Sequence, residues 1–239
     1  MQVSQKQFKT TDPDDIDRFP SCVSMRLHCD AIESEKEGFD RLDLQLTIRF
    51  GEHTEEILGG TVTIALKRGD LKLKIEDGRV PLDDLQLTAE FEEYIEYEEA
   101  QEIGTEVKGS VSAKDVGIEA KETGKRSRKS QSKYYQVHTA GTETEPIWRF
   151  IDQTGKYLHR MLKKTTIGIV HAESNPCQIA ARFTVSGVGD IYLVKASGLW
   201  PKNISRNKFA QLERFLVGLI LQEKLQPHLS YVEVVYERF

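Results

Sequence analysis

Cysteine is scarce: Cys22, Cys29 and Cys177 are the three thiols in 239 residues. An odd count, behind a polar and acidic stretch from 1 to 17 that does not read as a secretory leader, argues against a disulfide framework. Cys22 and Cys29 are seven positions apart with no Cys-x-x-Cys or histidine pair beside them. That spacing does not suit zinc, so buried free thiols are expected. Long apolar runs are also missing. The most apolar stretch, 215–221, is far short of the ~20 residues that a membrane span needs. A soluble, cytoplasmic chain with no membrane span is the expectation.

Catalytic and cofactor motifs are absent as well. The histidines are His28, His53, His138, His159, His171 and His228, and no two have His-x-x-x-His spacing. There is no Gly-x-Ser-x-Gly elbow and no phosphate loop. Gly187-Val188-Gly189-Asp190 is too short for a dinucleotide fingerprint and leads into a strand. Glu92-Glu93 and Glu98-Glu99 are adjacent pairs, whose side chains point to opposite faces of a strand and cannot share one acid–base site. The sequence therefore points to no catalytic residue, no metal and no cofactor, and to binding rather than catalysis. A site assembled from distant segments stays open.

What the chain does have is period-two alternation. Leu42, Leu44, Leu46, Ile48 and Phe50 alternate with Asp43, Gln45, Thr47 and Arg49, the pattern of a strand with one buried face. Strands are also expected at 23–31, 61–66, 71–75 and 85–91, then at 134–140, 147–151, 165–172, 178–185, 190–194 and 231–236. Arg68-Gly69-Asp70 and Asp77-Gly78 read as turns. From Phe209 the spacing changes to i, i+3, i+4: Phe209, Leu212, Phe215, Leu216, Leu219 and Ile220 predict an amphipathic helix over 206–225. Ser205 or Asn203 can cap its start, and Pro227 bars its continuation. The fold class that follows is mainly β: sandwich-like antiparallel sheets with one C-terminal helix covering a sheet.

Charge divides the chain unevenly. Residues 1–102 hold 12 basic and 25 acidic residues, net −13, whereas 103–239 hold 21 and 13, net +8. This suggests an acidic tail (1–20), an acidic β unit (21–103), a bulged strand with a basic mobile loop (104–135), and a basic β unit (136–239). Gly69-Asp70-Leu71-x-Leu73, with Gly78 and Pro81, is echoed by Gly189-Asp190-Ile191-x-Leu193, with Gly198 and Pro201. The echo suggests that the two β units are related, although Gly-Asp turns before strands recur through ordinary turn chemistry.

The binding expectations rest on the cations. Lys125, Arg126, Arg128, Lys129 and Lys133 crowd one hydrophobe-free stretch, with Tyr134 and Tyr135 beside it for stacking. Lys202, Arg206 and Lys208 surround the expected helix start. Backbone N–H groups there attract anions, and basic side chains oppose the macrodipole. Lys156, Arg160, Lys163 and Lys164 form a third group. A protein partner, met through a charge-asymmetric scaffold, is one reading, and nucleic acid is another. Self-association is a further one: segment 90–102, with seven glutamates and no basic residue, could face the basic stretch within one chain or between chains. A membrane-inserting hairpin from 104–121 and 134–142 fits poorly, because its apolar groups are small.

Overall fold

The structure is a computed structural model that describes residues 6–10, 17–32, 40–85, 92–99, 128–135, 137–152, 156–199, 204–223 and 225–238. In chain order its strands are β1 (Lys6–Thr10), β2 (Val23–Ile32), β3 (Asp40–Phe50), β4 (His53–Ile57), β5 (Gly60–Leu66), β6 (Arg68–Glu76), β7 (Gly78–Arg79) and β8 (Glu92–Glu99). They continue as β9 (Arg128–Tyr135), β10 (Val137–Gly141), β11 (Pro146–Ile151), β12 (Met161–Ala172), β13 (Cys177–Thr184), β14 (Ile191–Ser197) and β15 (Ser230–Arg238). Helix α1 (Arg206–Glu223) lies between the last two, and short 3₁₀ turns occupy Leu82–Asp84 and Val188–Asp190. Residues 1–92 with 135–239 form one body, and residues 93–134 form a second.

Three antiparallel sheets make up the first body. A six-stranded sheet runs β1-β15-β13-β6-β11-β10, a four-stranded sheet runs β2-β3-β12-β7, and a three-stranded sheet runs β14-β5-β4. The alternation in the sequence decides which side chains turn inward. Leu42, Leu44, Leu46, Ile48 and Phe50 are buried along β3, and Leu71, Leu73 and Ile75 along β6. Phe50 of the four-stranded sheet meets Phe150 and Phe183 of the six-stranded sheet, with ring centroids 5.4, 5.4 and 6.0 Å apart around the triangle. Each such ring removed from water stabilises the fold by about 1.5–3 kcal/mol. Gly69 makes room for this packing, because a Cβ there would stand 2.4 Å from Cε1 of Phe183.

The sheets share strands by kinking them. One run of chain serves all three: β5 ends at Leu66, β6 resumes after Lys67, and β7 follows Asp77. Asp77 takes φ 62°, a left-handed conformation that bends the strand sharply. The break at Lys67 keeps its backbone partners: its N–H donates to the Asp190 carbonyl at 2.7 Å, and its carbonyl accepts from Asp152 N–H at 2.8 Å. So the segments around Arg68-Gly69-Asp70 and Asp77-Gly78, expected to be turns, are strand crossings between sheets.

Other expectations also change. The acidic tail contains a strand: β1 pairs with β15 from Lys6↔Arg238 to Thr10↔Val234. Backbone pairing to an open sheet edge needs no apolar side chains, so composition concealed it. Phe19 is buried and Arg18 N–H donates to the Leu229 carbonyl, which ties residues beyond β1 to the body as well. The acidic and basic halves do not form separate units. β6 sits between β13 and β11, and β3 sits between β2 and β12. Strand pairing brings together segments from both ends of the chain. The two Gly-Asp segments also differ in surroundings: β6 is interior to its sheet, whereas β14 has β5 as its neighbour at the end of a three-stranded sheet. What they share is a buried aspartate with an arginine, Asp70 with Arg149 and Asp190 with Arg68. Of the strand expected at 85–91, only Leu85 lies within the described residues.

The helix is present, and Ser205 caps it: its hydroxyl accepts from Lys208 N–H at 3.5 Å. Its buried face is turned from the expected stripe toward Val217. Leu216, Val217 and Ile220 are buried and face the Val188–Asp190 turn and β14, while Phe209 is 37% and Phe215 58% exposed. Among the described residues, no helix is long and apolar enough to cross a membrane.

The second body contains a two-stranded sheet of β8 and β9. Residues 128–133, expected to be mobile loop, therefore belong to a strand. In sequence β8 carries five glutamates and β9 three basic residues, and the two strands are neighbours in this sheet. The bulged strand expected at 104–121 lies outside the described residues.

Candidate anion-binding groove

The outward face of the six-stranded sheet carries a polar surface with two hollows. Register fixes its rows. Lys72 of β6 stands opposite Arg182 of β13, Ile147 of β11 lies on the other side of Lys72, and Tyr231 of β15 lies beyond Arg182. In the next row Lys74 faces Ala180, and Ala180 faces Glu233. Lys72, Lys74 and Arg182 are exposed because the intervening residues Leu73, Ala181 and Phe183 fill the core.

Three carboxylates on this face are already engaged. Glu76 accepts from the Lys74 ammonium at 2.5 Å, and Asp70 accepts from Arg149 Nε at 2.9 Å. Glu233 accepts from the Tyr231 hydroxyl at 2.7 Å and from the side-chain amide of Gln178. Among the described residues Lys72 and Arg182 have no such partner, so two like charges face each other directly across adjacent strands, an arrangement that is destabilising by itself.

Two hollows flank Arg182. The one on the β15 side, about 280 Å³, opens over the small side chain of Ala180 and is lined by Lys74, Glu76, Gln178, Arg182 and Tyr231. The one on the β11 side, also about 280 Å³, is lined by Lys72, Glu145, Ile147, Arg182, Thr184 and Pro227 among others. His228 stacks near Tyr231 with ring centroids 5.6 Å apart. Burial pushes the His228 imidazole below its ordinary pKa of 6.5, and the charges of Arg18 and Arg182 push it the same way. Burial, then the hydrogen bond to Glu233 and its charge, raise the Tyr231 phenol, with Arg182 opposing. A planar guanidinium, an ammonium and a half-buried imidazole thus converge on one strip, with the donors a carboxylate or phosphate needs.

The cations singled out in the sequence are distributed otherwise. Lys125, Arg126 and Lys202 lie outside the described residues. Arg128, Lys129, Lys133 and Tyr134 belong to β9, beside the glutamate-rich β8. Arg206 opens α1, and Lys208 is exposed in its first turn. None of those within the described residues lines either hollow over the six-stranded sheet. The interleaved Lys72 and Lys74 were visible as the wet side of a strand. The opposition of Lys72 to Arg182 comes from register between segments far apart in sequence.

Tertiary folding also assembles a chain of groups that no motif announces. Ser21 Oγ lies 2.7 Å from His53 Nδ1, and His53 Nε2 lies 3.0 Å from Glu55 Oε2. The edge of Phe19 packs against the imidazole at 4.6 Å between centroids. Nearby backbone donors are already committed: the Cys22 and Val23 N–H groups donate to the Phe19 carbonyl, and Gly51 N–H donates to the Cys22 carbonyl. None of those three is left to stabilise an oxyanion, so the chain reads as a clamp between the 18–22 turn and β4. Among the described residues, no group of three or more histidine, cysteine, aspartate or glutamate side chains is placed to hold a metal.

No protein-family model matches the chain, and comparison with curated proteins yields no significant relative.

Proposed function

We propose that the protein is a binding module that takes up an acidic segment of a protein partner on the outer face of its six-stranded sheet. The observation that carries this reading is the Lys72–Arg182 opposition, two exposed cations in register and neither of them ion-paired among the described residues. A ligand carboxylate between them removes the repulsion and gains a bidentate arginine contact. The acids along the strip, Glu76 and Glu233 with their own partners and Glu145 on the rim beside Lys72, disfavour a continuous polyanion and suit a segment with spaced carboxylates. Tyr231 and Ile147 supply the apolar contact that a peptide backbone needs.

His228 gives the reading a pH signature. Its pKa is depressed in the free protein, and an anion beside it raises that pKa. Affinity therefore increases as pH falls through the imidazole range, where the peptide's glutamates remain ionised. The test is fluorescence anisotropy with a labelled oligoglutamate peptide from pH 8 to pH 5.5. The expected result is salt-sensitive binding that tightens on acidification, is lost in Arg182→Ala and Lys72→Ala, and becomes pH-flat in His228→Gln. Absence of binding at low salt overturns the reading. So does binding that both alanine variants retain.

A further inference from the structure

A second cationic face lies on the four-stranded sheet, and its backbone is distorted in a way that builds it. On β12, Leu162 pairs with Ile48 and Thr165 with Leu46, so three steps on β12 match two on β3. The extra residue is a β-bulge over Lys163 and Lys164. In a regular strand one of these lysines points into the core. Here both are exposed, and Lys164 adopts φ 46°, an uncommon conformation for a residue with a side chain. Lys164 N–H donates to Thr47 Oγ1 at 3.1 Å, which sets the bulge against the centre of β3.

On the other side of Thr47 stands Arg26 of β2, and one outward position further along β3 is Arg49, between Ser24 and Met161. Arg26, Arg49, Lys163 and Lys164 are all exposed, and none is ion-paired among the described residues. The acids of this face stand further along. Asp43 and Asp30 both accept from Gln45, and Asp30 also faces His28 at 3.4 Å. The face is thus polarised, and none of its described carboxylates pairs with these four cations.

We infer that the Arg26–Arg49–Lys163–Lys164 face binds nucleic acid through its phosphate backbone, independently of the groove over the six-stranded sheet. Four cations within two outward positions on three adjacent strands match a closely spaced series of phosphates. Nucleic-acid interfaces are more polar and more positive than protein interfaces, and among the described residues Met161 is the large exposed apolar group beside these four cations, with Ile32 at the far end of β2. Insertion into a lipid surface draws on several large apolar anchors, which this face lacks. Contacts confined to phosphates confer little sequence preference.

The test uses the full chain and a fluorescein-labelled 20-nucleotide oligothymidylate, with anisotropy read across a salt series. For four phosphate contacts on a single strand, log K against log salt should fall with a slope of about −3. Each single glutamine substitution should lower that slope by about 0.7, and the quadruple Gln variant should lose binding at least tenfold with an unchanged melting temperature. Lys72→Ala and Arg182→Ala should leave oligonucleotide binding intact, so this inference and the peptide reading fail separately. Binding that survives in the quadruple variant overturns it, as does binding that follows Lys72 and Arg182. Association with phosphatidylserine vesicles in place of the oligonucleotide overturns it too.

Discussion

If Lys72 and Arg182 repel each other in the free protein, a substitution that weakens binding should strengthen the fold. Lys72→Glu replaces a like-charge pair with an opposite-charge pair at the same register. Cross-strand pairs of this kind are worth roughly 0.2–1 kcal/mol in either direction, so the reversal should stabilise the protein by about 0.5–1.5 kcal/mol. Both side chains are exposed, so the gain belongs at low ionic strength and shrinks at high salt. For a chain of this size it amounts to a rise of about 1–6 °C in melting temperature. Thermal unfolding followed by circular dichroism at low and at high salt reads it directly, and Lys72→Gln should gain about half as much. The same Lys72→Glu protein should bind oligoglutamate more weakly, and added peptide should raise the melting temperature of wild type but not of the variant. A Lys72→Glu protein that melts at or below wild type in low salt would mean that the two cations are already neutralised, and the argument for a carboxylate between them would fail.

The buried face of α1 separates neighbours that the hydrophobic pattern treats alike. Leu216→Asp should cost more than about 3 kcal/mol, whereas Phe215→Asp, on an exposed position, should shift chemical unfolding by less than about 0.5 kcal/mol. Gly69→Ala forces a methyl against the Phe183 ring and should destabilise by about 1–3 kcal/mol or more, with recovery in Gly69→Ala/Phe183→Leu. Burial pushes the thiols of Cys22 and Cys177 up to about 12, and that of Cys29 upward too. All three should resist a disulfide-exchange reagent until the protein unfolds. Because these thiols ionise only in the unfolded chain, stability should fall as pH rises above about 9.

Much of the fold was legible because a sheet with one wet face writes its period into the sequence. β3 and β6 are read almost residue by residue, since each inward position is apolar and each outward one polar. β1 and β4 carry no such signal: Lys-Gln-Phe-Lys-Thr and His-Thr-Glu-Glu-Ile are strands through backbone pairing to a neighbour already in place. The helix was legible in its existence and its cap, but not in its rotation. Its apolar arc is wider than the surface it covers, so contact with the Val188–Asp190 turn and β14 decides that Val217 goes in and Phe215 stays out. The turn signals at Gly69 and Asp77 were real as bends. A bend that carries a strand from one sheet into the next uses the same residues as one that reverses it.

The division of charge between the two halves is the feature that folding most transforms. A net of −13 before residue 103 and +8 after it suggests an acidic body facing a basic one, yet the sheets interleave strands from both halves. Each cationic face is accordingly made jointly. Lys72 comes from the acidic half and Arg182 from the basic half. Arg26 and Arg49 come from the acidic half, and Lys163 and Lys164 from the basic half. The surplus of acid in the first half is spent elsewhere: on β8 beside the basic β9, and on carboxylates such as Glu76 and Asp70 that hold their own lysine or arginine. Local potential is therefore set by strand register and by one bulge. A shift of one residue in the pairing of β6 with β13 would dissolve the Lys72–Arg182 opposition and leave the net charge untouched.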